Sequence, residues 1–287
     1  MTFTFEETAR TATVDGFEIT YNEAGDPDRP TLVMLHGGGA GATGWGNFAA
    51  NLPAFTSEFR VLLVNQPGFG GSRYPEHFEE HYLTFAGRMV IGLLDQLGVG
   101  SAHVLGNSLG AAVTVRTALD HADRIDRIVL MGTGSNVSIG LFAPRPAEGI
   151  TKLTAFNANP TLEGMEAFLR ALAYNQDLIT PELVQARYDA AVTPEGQEGN
   201  KAMFAGMHDP RFARDGELWR ICDGVQHHTL ITWGREDRVQ PLDGAFLAAK
   251  LMPNARLYII PKCGHWAQVD AKDEFEQVAV TFLRNSL

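Results

Sequence analysis

The sequence has 287 residues, 45% of them hydrophobic and 20% charged, with 23 Lys and Arg against 34 Asp and Glu and a formal net charge of −11. This is a globular composition, long enough for one large domain or two ordinary ones, and its acidic excess excludes the basic patch that nucleic-acid binding needs. Two cysteines, Cys222 and Cys263, cannot frame a disulfide scaffold and fit a reducing compartment. The N-terminal stretch MTFTFEETARTATVDGFEIT has neither a basic nor an apolar leader region, and no apolar run approaches the ~18–20 residues of a bilayer span. The expectation is a cytoplasmic protein without membrane contact.

Strand-like runs open the chain at residues 6–13 and 17–23, followed by TLVMLH (31–36) and RVLLVN (60–65). In 85–97, Met89, Val90, Leu93, Leu94 and Leu97 share one helical face. AHVLGN (102–107) and RIVLMG (127–132) continue a strand-and-helix alternation that argues for a parallel sheet covered on both faces. The alternation then stops. Residues 133–150 are rich in Gly and Pro, and from 151 to about 221 the patterns are helical, with Leu162, Met165, Leu169 and Leu172 on one face and Thr180-Pro181 reading as the start of another helix. HTLITWG (228–234), a helix from Leu242, ARLYII (255–260) and a last amphipathic helix with Phe275, Val278, Ala279, Phe282 and Leu283 on one face resume it. The expected organisation is one discontinuous α/β core, residues 1–138 and 215–287, with a helical lid inserted at 139–214.

After the strand AHVLGN comes Gly106-Asn107-Ser108-Leu109-Gly110, a Gly-x-Ser-x-Gly motif in the strand–turn–helix setting its chemistry requires. A serine is a weak nucleophile at neutral pH and needs a base held by an acid. Both follow at later strand ends: Asp237 after LITWG, with Glu236 as its rival, and His265 after ARLYII. The order Ser, Asp, His is that of an α/β-hydrolase. The run His36-Gly37-Gly38-Gly39-Ala40-Gly41 can supply a backbone amide that joins the amide of Leu109 as an oxyanion hole. Gly39-Ala40-Gly41-Ala42-Thr43-Gly44 also matches a dinucleotide fingerprint. The following strand ends in Asn65 and Gln66 rather than an acid, so no nucleotide cofactor is expected. His77-Phe78-Glu79-Glu80-His81 has a zinc-protease spacing but reads as an exposed acidic turn, and no metal is expected. Cys263 reads as a small buried side chain.

HGGGAG, QPGFG (66–70), GNSLG, LFAPRPAEG (141–149), LITPELVQAR (178–187), WGREDRVQPLDGA (233–245) and CGHW (263–266) together resemble the meta-cleavage product hydrolases, carbon–carbon bond hydrolases of aromatic and steroid ring degradation. The resemblance runs over nearly the whole chain. It implies an α/β-hydrolase fold and hydrolysis of 2-hydroxy-6-oxo-hexa-2,4-dienoates to 2-hydroxypenta-2,4-dienoate and a carboxylic acid. By the same resemblance, Ser108, Asp237 and His265 match the triad, Leu109 with Gly38 or Gly39 the oxyanion hole, and Asn47, Asn107, Arg187 and Trp266 the dienoate end of the pocket. The family often has Asp where Asn65 stands, and the departure reads as the loss of a local loop contact that leaves the triad untouched. Relatives are commonly dimers or larger assemblies.

The residues of the helix from Pro181 bear on this independently. Leu183, Val184, Arg187, Tyr188 and Ala191 share a face, so an arginine sits in an apolar stripe and requires an anion, either a structural carboxylate or a substrate's. Asn47 could equally be a helix cap, and Trp266 could be core. Two rival readings remain: a carboxylesterase or lactonase with the same triad, and a ligand receptor on the hydrolase fold. A buried cation argues against the first, since a neutral ester needs none.

Overall fold

The computed structural model describes residues 2–134, 136–140, 142 and 146–284. Leu141, Ala143, Pro144 and Arg145 of the LFAPRPAEG stretch, and parts of each expected domain segment, lie outside the described residues.

In chain order the elements are α1 (Phe5–Thr8), β1 (Ala9–Val14), β2 (Phe17–Ala24), β3 (Thr31–Leu35), α2 (Gly44–Phe48), α3 (Leu52–Phe55), β4 (Arg60–Val64), α4 (Tyr82–Gln96), β5 (Ala102–Asn107), α5 (Leu109–Asp120) and β6 (Ile125–Met131). Then come α6 (Glu148–Ala158), α7 (Leu162–Leu172), α8 (Pro181–Val192), α9 (Pro194–Met207), β7 (Thr229–Gly234), α10 (Asp243–Leu251), β8 (Ala255–Ile260), α11 (Ala267–Asp270) and α12 (Lys272–Leu283). One sheet takes the eight strands in the order β1-β2-β4-β3-β5-β6-β7-β8. It is parallel from β4 to β8, and β1 and β2 join as an antiparallel hairpin. The hairpin turns on Asp15-Gly16, both at positive φ, as a two-residue turn between right-twisted strands demands.

β3 and β7 are buried at every residue, because helices cover both faces of the parallel sheet and leave no position for alternation. α4 and α5 pack in one core cluster with β5 and the hairpin, and α12 in another with β4 and α3. A third cluster, from α6, α7, α8, Val239 and Trp266, lies over the C-terminal end of the sheet. Among the described residues no strand falls between β6 and β7, and α7 and α8 are capped by Thr161 and Thr180.

Two expectations need correction. Residues 6–8 are helical rather than strand: Thr4 Oγ1 accepts from the Glu7 amide and starts a single turn, and β1 begins only at Ala9. The 77–81 segment is not a wholly exposed turn, since Phe78 is buried and His81, also buried, caps α4 by accepting from the Leu83 amide. Its Nε2 lies 3.2 Å from the Met207 carbonyl. Among the described residues no group of three or more His, Cys, Asp or Glu could hold a metal ion, and no helix is long and apolar enough to cross a membrane.

Candidate active site

Ser108 stands between β5 and α5 with φ 53° and ψ −110°, a left-handed conformation rare for a residue with a side chain. The flanking glycines permit the turn. A Cβ on Gly106 would sit 2.3 Å from the Gly110 carbonyl oxygen, and one on Gly110 would sit 2.2 Å from that of Leu35. The Ser108 amide is tied to the Met131 carbonyl at 2.9 Å, and its side chain faces the large cavity at the end of the sheet.

Asp237 and His265 come from the loops after β7 and β8. Asp237 is buried; its Oδ1 accepts from the amides of Val239 (2.7 Å) and Gln240 (2.8 Å), and its Oδ2 lies 2.7 Å from His265 Nδ1. A carboxylate beside Nδ1 holds the proton there and leaves Nε2 as the basic nitrogen. Glu236 is turned to Arg235 and to the Cys263 amide. His265 is fixed from above as well, its amide donating to the Leu172 carbonyl at the end of α7 (2.7 Å). Cys263 is buried outside the cavity lining, and burial pushes its thiol up, away from reactivity.

The cavity, of about 600 Å³, is lined by Ser108 and His265 together with Gly38, Gly39, Asn47, Asn107, Leu109, Arg187 and Trp266, so the expected nucleophile, base and substrate-binding residues all reach it, and the acid Asp237 stands behind His265. The glycine loop lies directly against the nucleophile: a Cβ on Gly37 would sit 3.4 Å from Ser108 Cβ, and one on Gly38 2.9 Å from Leu109 Cδ2. His36 braces this loop from beneath, with Nδ1 donating to the Gly37 carbonyl (2.8 Å) and Nε2 accepting from the Gln66 amide (3.1 Å). Acceptance at Nε2 needs the neutral ring, and burial lowers its pKa to about 4. The amide of Leu109 opens α5, where helical N–H groups lack partners and the helix dipole favours negative charge.

Arg187 is buried, and among the described residues no carboxylate lies within ion-pair distance of it. Nε donates to the Ala40 carbonyl (2.8 Å), Nη2 to that of Gly39 (3.4 Å), and the guanidinium lies 5.8 Å from the Trp266 ring. Desolvation lowers its pKa to about 10, which leaves it cationic at neutral pH. Among the described residues the structural salt bridge considered from sequence is absent. Asn47 is not a cap, since Thr43 caps α2; its Nδ2 instead sits 3.5 Å from Asn107 Oδ1. Asn65 keeps loop contacts rather than losing them, accepting from the Gly44 amide (2.7 Å) and donating to Thr20 Oγ1 (2.9 Å).

Three features were not read from sequence. Gly132, at φ +48°, ends β6 where a Cβ would press on His265 Nδ1 at 2.9 Å; a glycine closing a buried strand was its only sequence signal. Asp270 accepts from the amides of Tyr174, Asn175 and Gly264, joining the His265 loop to the end of α7. Phe168, Met203, Phe204 and Met207 line the cavity from α7 and α9, where apolar periodicity alone marks only core.

The profile of the alpha/beta hydrolase fold family matches residues 30–272. The chain is 37% identical over 273 residues to the 2-hydroxy-6-oxo-6-phenylhexa-2,4-dienoate hydrolase of Burkholderia cepacia, covering 95% of this chain and 93% of the relative. It belongs to the meta-cleavage product hydrolases. It is also 36% identical over 276 residues to the 2-hydroxy-6-oxononadienedioate/2-hydroxy-6-oxononatrienedioate hydrolase of Comamonas testosteroni, with 95% and 93% coverage. Among solved structures it resembles the meta-cleavage product hydrolase of Pseudomonas fluorescens, a serine-to-alanine variant complexed with acetates, at TM-score 0.86 and 29% identity over 98% of this chain and 100% of that one. The chain is thus a member of a family of serine hydrolases that act on carbon–carbon bonds.

Proposed function

We propose that this chain hydrolyses the bond between carbons 5 and 6 of 2-hydroxy-6-oxo-hexa-2,4-dienoates, with Ser108 as nucleophile, His265 as general base and acid, and Asp237 as its orienting carboxylate. The observation that carries the substrate class is Arg187: a buried cation with no acidic partner among the described residues, facing the same cavity as Ser108. Burying an unpaired charge is costly, and an anionic substrate end is the partner it lacks. A neutral ester offers none. Asn47, Asn107 and Trp266 complete that end of the site, and the segment 139–214, helical at Glu148–Ala158, Leu162–Leu172, Pro181–Val192 and Pro194–Met207, acts as the lid that closes it.

The chemistry has two stages. The bound dienol loses its 2-hydroxyl proton and gains one at carbon 5, with His265 as the shuttle; the resulting ketone can accept the electrons of the breaking bond. Ser108 Oγ then attacks carbon 6 as its proton passes to His265, and the amides of Leu109 and of Gly38 or Gly39 hold the oxyanion. Collapse breaks the carbon–carbon bond, the electron pair flows from carbon 5 to the 2-oxygen to give a dienolate whose carbon 5 is the terminal CH2, and His265 delivers its proton to that oxygen to give 2-hydroxypenta-2,4-dienoate. Water deprotonated by His265 then releases the carboxylic acid from the acyl-serine.

The test is loss of colour of a yellow 2-hydroxy-6-oxo-6-phenylhexa-2,4-dienoate, with p-nitrophenyl acetate as control. Ser108→Ala should cut bleaching by at least ~10³-fold while substrate still binds. Brisk ester hydrolysis with no bleaching of any ring-fission product would refute the proposal.

A further inference from the structure

Relatives named for a phenyl-substituted dienoate and for a dicarboxylate match this chain equally well, at 37% and 36% identity, so similarity does not say what carbon 6 carries. The cavity does. Its lining divides into two walls. One belongs to the cluster of Phe168, Leu172, Val184 and Trp266 and holds Arg187 over the glycine loop. The other comes from α9 and the segment after it: Met203, Phe204, Met207 and Trp219, joined by Asn136 and Glu217. Ser108 has neighbours next to both: a Cβ on Gly37 of the glycine loop would sit 3.4 Å from its Cβ, and a Cβ on Gly134 would sit 4.0 Å from its carbonyl and 3.9 Å from Asn136 Oδ1. A dienoate whose carboxylate lies on Arg187 and whose carbon 6 lies at Ser108 therefore extends its substituent along the second wall.

That wall is thioether and aromatic. Met203 is buried and unbranched, and sulfur against a ring edge is a favourable contact; Phe204 and Trp219 add aromatic rings to the lining. Its ionisable groups among the described residues are His208, whose ring lies parallel to Phe204, and Glu217, a carboxylate. The neighbouring Arg220 is not part of the lining and is engaged by Glu217 Oε2 (2.5 Å) and by the Trp219 ring (4.1 Å). A second substrate carboxylate would meet apolar walls and a like charge.

We infer that the carbon 6 substituent is a neutral aryl group, selected by Met203, Phe204, Met207 and Trp219 and guarded against a second carboxylate by Glu217. This rests on the proposed carbon–carbon hydrolase reading. The experiment compares kcat/KM for three ring-fission products that differ at carbon 6: phenyl, methyl and carboxyethyl. The phenyl compound should lead the carboxyethyl one by about a hundredfold or more, since even one misplaced methylene is worth ~10-fold to 200-fold in a closed pocket. Met207→Lys should raise the carboxyethyl-to-phenyl ratio at least ~10-fold by supplying a counter-charge, and Glu217→Gln, half-exposed and paired, only about twofold to fivefold. Equal or better cleavage of the carboxyethyl or methyl compound would overturn the inference and leave the hydrolase reading standing. Cleavage of none of the three would overturn both.

Discussion

Replacing Arg187 by Met separates the two jobs its geometry allows. The guanidinium holds the Gly39 and Ala40 carbonyls and also faces the cavity. If it binds the substrate carboxylate, its removal deletes one side of a buried, hydrogen-bonded charge pair. That costs about 3 kcal/mol, or ~10²-fold in kcat/KM for the dienoate, seen chiefly in KM. p-Nitrophenyl acetate, which has no carboxylate, feels only the loosened glycine loop and should lose less, no more than about tenfold. Stability moves differently. Desolvation lowers the arginine's pKa from 12.5 to about 10, so the unfolded chain holds this proton more tightly, and folding is penalised by about 3 kcal/mol at any pH below about 10. The variant escapes that penalty and loses two hydrogen bonds from a charged donor, each ~1.5 kcal/mol or more. The two effects nearly cancel, and the melting temperature should move by only a few degrees. Steady-state kinetics on both substrates and a thermal melt decide the matter. A parallel fall in dienoate and ester turnover with a large drop in Tm would show that Arg187 is only a brace for the glycine loop.

Other perturbations test the rest of the site. Gly132→Ala adds a methyl at positive φ against both His265 and Asp237 Oδ2 (3.2 Å), so turnover of dienoate and ester alike should fall at least ~10²-fold, with NMR of the imidazole protons reporting a changed Nδ1 environment. Asp270→Asn weakens three bonds to backbone amides that tie the His265 loop to α7; it should cost about 2 kcal/mol in denaturant melts and lower kcat more than it raises KM. Stability should fall in acid. His36 is buried neutral with a folded pKa near 4 against 6.5 unfolded, so its contribution is complete above about pH 6.5 and is lost as pH falls towards 4, by about 3 kcal/mol at most. His81 and His103, also lowered by burial, add to the same window, so the difference between wild type and His36→Gln isolates the His36 share.

The strand alternation and the order Ser108, Asp237, His265 were legible because both are written in local patterns: β-strands buried on two faces are continuous apolar runs, and the nucleophile turn needs glycines at fixed offsets. The first helical turn was not, because a single Thr4 cap outweighs the β-propensity of the threonines that follow. Burial of His81 was equally invisible, since what covers it, the end of α9, is 126 residues away in sequence. Arg187 shows the limit most clearly. Its place in an apolar stripe said that it needs an anion, and only the fold showed that no carboxylate of the described chain supplies one.

If a chain of net charge −11 takes an anionic substrate, as proposed, global and local electrostatics are separate matters. Surface carboxylates act through water and are screened over about 8–10 Å, so they set solubility and slow the approach of an anion only modestly. Inside the cavity the groups facing the ligand decide: Arg187, with no acid beside it among the described residues, and the amides of the glycine loop and of Leu109 at the start of α5. Because the arginine's own bonds to Gly39 and Ala40 also hold that loop, the residue that would bind one end of the substrate positions the donors that would stabilise charge at the other. A substrate carboxylate at Arg187 would then restrain the guanidinium and, through it, the loop beside Ser108, so that binding energy gained at carbon 1 is expressed as order at carbon 6.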